Sequence, residues 1–229
     1  MDPCPACAAG KAKQRNVPKS SNRHKATITI AGERWYHDIS TISERGNAKA
    51  AKKQWHLRVD EHSMYCVSTF YKEKNGFIEP LCKDLYDLQL QGKPAKYIRM
   101  DNSGENKKFV ERAASSDWKL PHKNKFTSRS TPQQNGIVEV QFATIAGRGR
   151  AMCNHANIPE DVRIKIANKA LSHSTSLGNL VVDKGQTKTR NERMGLSNPK
   201  WANTKMRTFG EAGVVTRGKK ESLETGAYP

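Results

Sequence analysis

A change of hydrophobic period between residues 54 and 90 constrains the fold more than any other feature of this chain. Trp55-His56-Leu57-Arg58-Val59-Asp60 alternates apolar with polar residues, the period of a half-buried strand. Residues 64–71 repeat it, with Tyr65, Val67, Thr69 and Tyr71 on one face. The two segments predict adjacent antiparallel strands joined through Glu61-His62-Ser63. From Phe77 the spacing switches to offsets of three and four at Ile78, Leu81, Leu85 and Leu88, which predicts an amphipathic helix ended by Gly92 and Pro94.

Around this switch the remaining elements fall into order. Residues 34–42 predict a strand that ends near Asp38 or shortly after it, and residues 45–53 a polar connection. Residues 95–100 predict a short strand with Asp101 at its C-terminal end, residues 107–114 a helix, and Trp118-Lys119-Leu120 a brief strand. A polar loop spans residues 121–135. Residues 136–157 predict a helix with Glu139 in its first turn; Gly147 and Gly149 each weaken it by roughly 1 kcal/mol relative to Ala. Another helix covers 160–177, and residues 206–215 allow a strand pair. Strands leading into alternating strands and helices indicate an α/β layer fold with helices packed on a mixed sheet.

The flanks differ from this middle. Residues 1–30 carry six Lys or Arg against one acid and offer little to bury, so they predict an irregular basic arm. The predicted domains are this arm (1–30), a core (31–178) and a basic tail (179–229). Over the whole chain 40 Lys and Arg oppose 22 Asp and Glu, a formal net charge of +18 that favours an anionic polymer as partner. No run approaches the ~20 apolar residues of a membrane span, and the N-terminus lacks the apolar stretch of a secretory signal. Five cysteines, an odd and scattered set, argue for a reducing, intracellular compartment.

In a chain this basic, three acids stand out by their settings. Asp38 closes Arg34-Trp35-Tyr36-His37-Asp38, Asp101 opens Asp101-Asn102-Ser103-Gly104-Glu105, and Glu139 closes Thr131-Pro132-Gln133-Gln134-Asn135-Gly136-Ile137-Val138-Glu139. Carboxylates brought together repel one another, and a divalent cation removes that cost. Mg²⁺ or Mn²⁺ suits oxygen ligands, and such ions assist phosphoryl transfer by activating the attacking oxygen and stabilising the leaving one.

These contexts resemble the integrase region of copia-type retrotransposon polyproteins, in the retroviral-integrase branch of the RNase H-like fold. The resemblance rests on His37-Asp38, the strand around Val59-Asp60, Arg99-Met100-Asp101-Asn102-Ser103-Gly104-Glu105, and Thr131-Pro132-Gln133-Gln134-Asn135-Gly136 leading to Glu139, with 37 residues between Asp101 and Glu139. Lys200-Trp201-Ala202 and Arg207-Thr208-Phe209-Gly210 resemble the segment after the core. The resemblance implies an RNase H-like mixed sheet flanked by helices, with Asp38, Asp101 and Glu139 as catalytic metal ligands. Asp60 becomes a strand position and Glu105 a helix-start residue. It implies 3′-end processing and strand transfer of element DNA into target DNA by a homo-oligomer, in the nucleus and cytoplasm. Lys123, Lys125, Arg129, Gln133, Gln134 and Asn135, in the loop before the Glu139 helix, would meet DNA phosphate and sugar. Arg148 and Arg150 are read as mainly solvated.

Cys4-Pro5-Ala6-Cys7 resembles the second half of a His-His-Cys-Cys zinc motif. Two thiolates supply half of a tetrahedral site, so Zn²⁺ is expected only if further ligands lie upstream. That half-motif, with no reverse transcriptase after Pro229, predicts a fragment of a polyprotein. The alternative function is an inactive remnant that binds nucleic acid without catalysis.

Overall fold

Five strands, β1 (Arg34–Thr41), β2 (Gln54–Asp60), β3 (Cys66–Tyr71), β4 (Tyr97–Met100) and β5 (Lys123–Phe126), form one mixed sheet in the order β3-β2-β1-β4-β5. The structure, a computed structural model, describes residues 28–42, 50, 52–127, 135–204 and 209–210. β1 runs antiparallel to β2 and parallel to β4, and β4 runs parallel to β5. Seven α-helices are described, α1 (Ile78–Leu90), α2 (Gly104–Ala114), α3 (Gly136–His155), α4 (Glu160–Lys165), α5 (Ala167–Asn179), α6 (Arg190–Arg193) and α7 (Lys200–Thr204), with a short 3-10 turn at Lys74–Phe77 leading into α1.

Strand alternation divides the core into two layers. Trp35 on β1 joins Phe77, Leu81, Leu85, Ile98, Met100 and Phe109 on the α1–α2 side. Tyr36, one residue on, joins Leu57, Val59, Val138, Ile145 and Leu171 on the α3–α5 side. Phe77 and Phe109 are fully buried, each contributing about 1.5–3 kcal/mol of transfer free energy. Both layers rest on β1 and β2, so these strands are the most deeply covered.

That double cover corrects the expectation for β2. Its alternation predicts a half-buried strand, but every residue from Gln54 to Asp60 is buried. The polar face survives burial because its side chains find partners. Arg58 pairs with Asp84 and lies over the Trp35 ring at 5.7 Å. His56 meets His37 at 3.0 Å and Thr69 at 3.2 Å. Asp60 accepts from Gly32 N–H, Ser63 N–H and Ser63 Oγ at 2.6–2.8 Å, closing the β2–β3 turn.

The other departures have local causes. Trp118-Lys119-Leu120 is not a strand: Lys119 has φ 45°, in the left-handed region, and the Trp118 ring packs edge-on against Tyr86 of α1. The strand lies later, at Lys123–Phe126, inside the segment expected to be loop. Helix α2 begins at Gly104, before residue 107, because Ser103 caps it by accepting from Asn106 N–H. The helix expected over 160–177 is two, α4 and α5, broken at Ile166. The 45–53 connection, the 206–215 strand pair and the 1–30 arm fall wholly or mostly outside the described residues.

Beyond α5 the chain packs back onto the core. Met194 is buried in the α1–α2 layer. Arg190 donates to Asp183 at 2.8 Å and to Gln141 of α3 at 3.3 Å, and Arg193 also pairs with Asp183. Asn179, at the end of α5, holds the outer strand β3: its Oδ1 accepts from Cys66 N–H at 2.9 Å and its Nδ2 donates to Cys66 C=O at 2.8 Å. Asn179→Ala strands both buried backbone groups and is expected to lower unfolding free energy by about 1.5 kcal/mol, read as a lower urea midpoint at unchanged slope.

Candidate metal centre

The sheet register brings two of the three acids level. β1 and β4 pair Arg34 with Tyr97, Trp35 with Ile98 and Tyr36 with Arg99. Two further residues along each chain give Asp38 and Asp101. Alternation puts both on the side that carries Tyr36 and Arg99, and the Arg99 guanidinium lies over the Tyr36 ring at 5.5 Å. This is the side covered by α3, whose first turn carries Glu139. Two rigid strands and one helix end thus direct the three carboxyls toward one region.

Each acid is held differently. Asp38 is partly buried and its Oδ1 accepts from Ile39 N–H at 2.8 Å. Burial pushes its carboxyl up from 3.8 to about 6. The charges of Asp101 and Glu139 push the same way, while the Ile39 N–H and the Asn135 amide pull it down. Asp101 is fixed through one oxygen: Oδ1 accepts from Asn106 Nδ2 and, at 3.3 Å, from Ser103 N–H. Asn106 also donates to the Asp101 carbonyl at 3.2 Å, so the buried amide clamps the strand end. Glu139 is exposed.

Asn135 is the residue whose setting the sequence does not disclose. It precedes α3, is buried, and makes no capping bond to the helix. Its amide sits beside Asp38 and favours the ionised carboxyl, yet neither Oδ1 nor Nδ2 meets a partner at hydrogen-bonding distance and angle. A buried amide with both ends unpaired costs free energy that a bound group would recover.

The donor set fits a hard divalent cation: oxygen ligands only, two carboxylates whose charges raise the proton affinity of Asp38, and an unpaired amide oxygen at the rim. Among the described residues no three His, Cys, Asp or Glu side chains close into a ready-made ligand cluster. The arrangement among the described residues is therefore one of acids on one side of the sheet, short of a closed ligand cluster.

Of the other residues singled out in the sequence, Lys123 and Lys125 stand on β5, and Cys4, Cys7, Arg129, Gln133 and Gln134 lie outside the described residues. Asp60 is consumed by the β2–β3 turn. Glu105 is in the first turn of α2 and lines a separate cavity of about 260 Å³ with Lys74 and Lys108. His37 is buried among Phe77, Phe109 and His56 on the opposite side of the sheet from Asp38. Arg148, expected to be solvated, is half-buried and donates to Ser174 C=O at 2.8 Å, in space that Gly178 leaves open. Arg150 is exposed, as expected.

No protein-family model matches this chain. No curated protein matches it either. Among solved structures, it is similar to a chain of the simian T-cell lymphotropic virus intasome in complex with PP2A regulatory subunit B56 gamma, at 19% identity and a TM-score of 0.57, over 94% of this chain and 69% of that one. It is also similar to the HTLV-2 integrase catalytic core domain in complex with magnesium, in its trimeric form, at 19% identity and a TM-score of 0.49, over 72% of this chain and 97% of that one. The intasome likeness and the strand order establish the fold: an RNase H-like mixed sheet flanked by helices, of the kind found in retroviral integrase catalytic cores. Among the described residues no helix is long and apolar enough to cross a membrane.

Proposed function

We propose that this chain carries out DNA integration by metal-dependent phosphoryl transfer: processing of element 3′ ends and their transfer into target DNA. The observation that carries this reading is the parallel register that sets Asp38 level with Asp101, with Glu139 facing them from α3. Asp38, Asp101 and Glu139 would hold Mg²⁺ or Mn²⁺, which when bound supplies Lewis-acid activation of the attacking oxygen and charge stabilisation of the leaving one. The protein's own part is positioning. Asn106 fixes Asp101 against rotation, Ile39 N–H fixes Asp38, and the Asn135 amide faces the space where a ligand oxygen or phosphate would sit. Arg129, Gln133 and Gln134 would add phosphate and sugar contacts. The copia-type sequence resemblance supports the same activity, and a homo-oligomer acting on DNA in the nucleus is the corresponding assembly.

The test is a strand-transfer and disintegration assay on the purified chain with Mg²⁺, with Mn²⁺ and with EDTA. Product that requires the divalent ion is expected. Salt-sensitive DNA binding without product in any metal would replace this reading with that of a binding remnant.

A further inference from the structure

The α1–α2 side of the sheet, away from the acids, holds a cavity of about 250 Å³. Trp35 of β1 and Arg58 of β2, both buried, line it from the sheet. Val67, Leu88, Met194 and Leu196 supply apolar walls, the last two from the segment after α6. Helix α1 contributes the acids Asp84 and Asp87, and Lys93 adds a second cation to the lining.

Arg58 decides what the cavity suits. A guanidinium carries five N–H donors in a planar fork. Here the side chain is only 6% exposed. Among the described residues it donates to Asp84 alone, and its Nε meets no partner. A buried cation with an unfilled donor carries a desolvation cost that a second acceptor would recover. Asp84 does not block such an acceptor, because its carboxyl is 45% exposed and can turn to solvent. Asp87 is already engaged by Lys83 at 2.7 Å.

These features choose among anions. The two acids on α1 repel a polyanion, so a nucleic-acid backbone does not suit this lining. The apolar walls favour a ligand with a hydrocarbon body, and the volume lies below the roughly 300–1,000 Å³ of sites for drug-sized ligands. We propose that this cavity binds a small monocarboxylate with an apolar body. Its two oxygens take the Arg58 fork, and its body packs against Val67, Leu88 and Met194. The site lies across the sheet from Asp38 and Asp101 and stands independently of the proposed action on DNA.

The tryptophan indole N–H signals of the isotopically labelled full chain test this by NMR. Trp35 lines the cavity, with its indole N–H on Gly32 C=O. Trp55 lies in the other layer, with its indole N–H on Ser68 Oγ. Phenylacetate is expected to move the Trp35 signal and leave Trp55 in place, with a dissociation constant of about 1 mM, the range open to so small a ligand. Phenylacetamide and inorganic phosphate should leave both signals unmoved. Arg58→Gln should abolish the response. Loss of a buried cation can unsettle the fold, so Asp84→Asn is the second variant. It removes the charge paired with Arg58 and should melt below wild type. It should also bind phenylacetate about fivefold more tightly, so that the ligand restores part of the lost melting temperature. Acetyl-Ala-Phe with a free C-terminus is a further arm: tighter binding than phenylacetate assigns the site to a peptide terminus, weaker binding to a free acid, and both support it. Equal shifts from acid and amide overturn the proposal, as does a Trp35 shift driven by phosphate. A Trp35 signal that follows protein concentration instead of ligand overturns it in favour of a second copy. Asp84→Asn binding no more tightly than wild type overturns it as well.

Discussion

Asp38→Asn is expected to stabilise the metal-free protein by about 2 kcal/mol at pH 7.5 while abolishing metal-dependent DNA joining. Asp38 titrates near 6 in the fold against 3.8 in the open chain, chiefly through burial and then through its two acidic neighbours. Its folded pKa is raised, so the folded state binds the proton more tightly. The cost is absent below the unfolded pKa and is fully expressed once pH rises through 6. The shift corresponds to roughly 3 kcal/mol, reduced here because the carboxyl is only partly buried. Asparagine keeps the shape and an acceptor for Ile39 N–H but removes the charge. Urea denaturation at pH 7.5 and at pH 4.5 measures the effect. The gain should be large at the higher pH and small at the lower. Mg²⁺ should then stabilise the wild type and leave the variant unchanged. A variant less stable than wild type at both pH values would show that the partly buried Asp38 charge carries no net cost. Asp101→Asn and Glu139→Gln are expected to lose activity as severely, about a hundredfold or more, with smaller gains in stability.

The second large effect lies on the other side of the sheet. His37 and His56 are both fully buried and share one hydrogen bond. Burial pushes His37 down to about 3 and His56 well below 6.5; His122, nearby against Phe109, is pushed down to about 4 for the same reason. These imidazoles stay neutral in the fold but take protons in the unfolded chain once pH drops below about 6.5. Their contribution is therefore intact above that pH and is lost as pH falls toward the folded values. The buried pair alone should cost about 2.5 kcal/mol between pH 6 and pH 5. Asp38 acts with the opposite sign in the same window, so the slope is best read in the Asp38→Asn background. His56→Leu should roughly halve it. Stability that stays flat from pH 7 to pH 5 would mean that these rings reach solvent.

How much of this was legible in the sequence follows from what each element depends on. β1, β2 and β3 announce themselves because their apolar residues alternate, and α1 because its leucines recur at helical spacing. β5 does not: Lys123-Asn124-Lys125-Phe126 has poor strand propensity and exists because β4 offers a template beside it. The buried polar face of β2 was equally hidden. Alternation reports which residues are polar, and only the packing of α1 decides that Arg58 and His56 are covered and paired. The three acids could be picked out because their local contexts are distinctive, and the register later explained why Asp38 and Asp101 share a side. Asn135 was legible only as a DNA contact in the polar loop; its burial beside Asp38 was hidden, since that depends on where α3 meets the sheet.

The two margins of the sheet are guarded by unlike means. At β3 the Asn179 carboxamide occupies the backbone groups of Cys66, a fixed plug. At β5 the described residues offer charge: Lys123 and Lys125 beside an exposed Phe126. Charged edge strands resist pairing with a second copy of themselves. The same two ammonium groups would then serve colloidal behaviour. Exchanging them for valines should leave a chain that clumps at low salt even where its fold is sound.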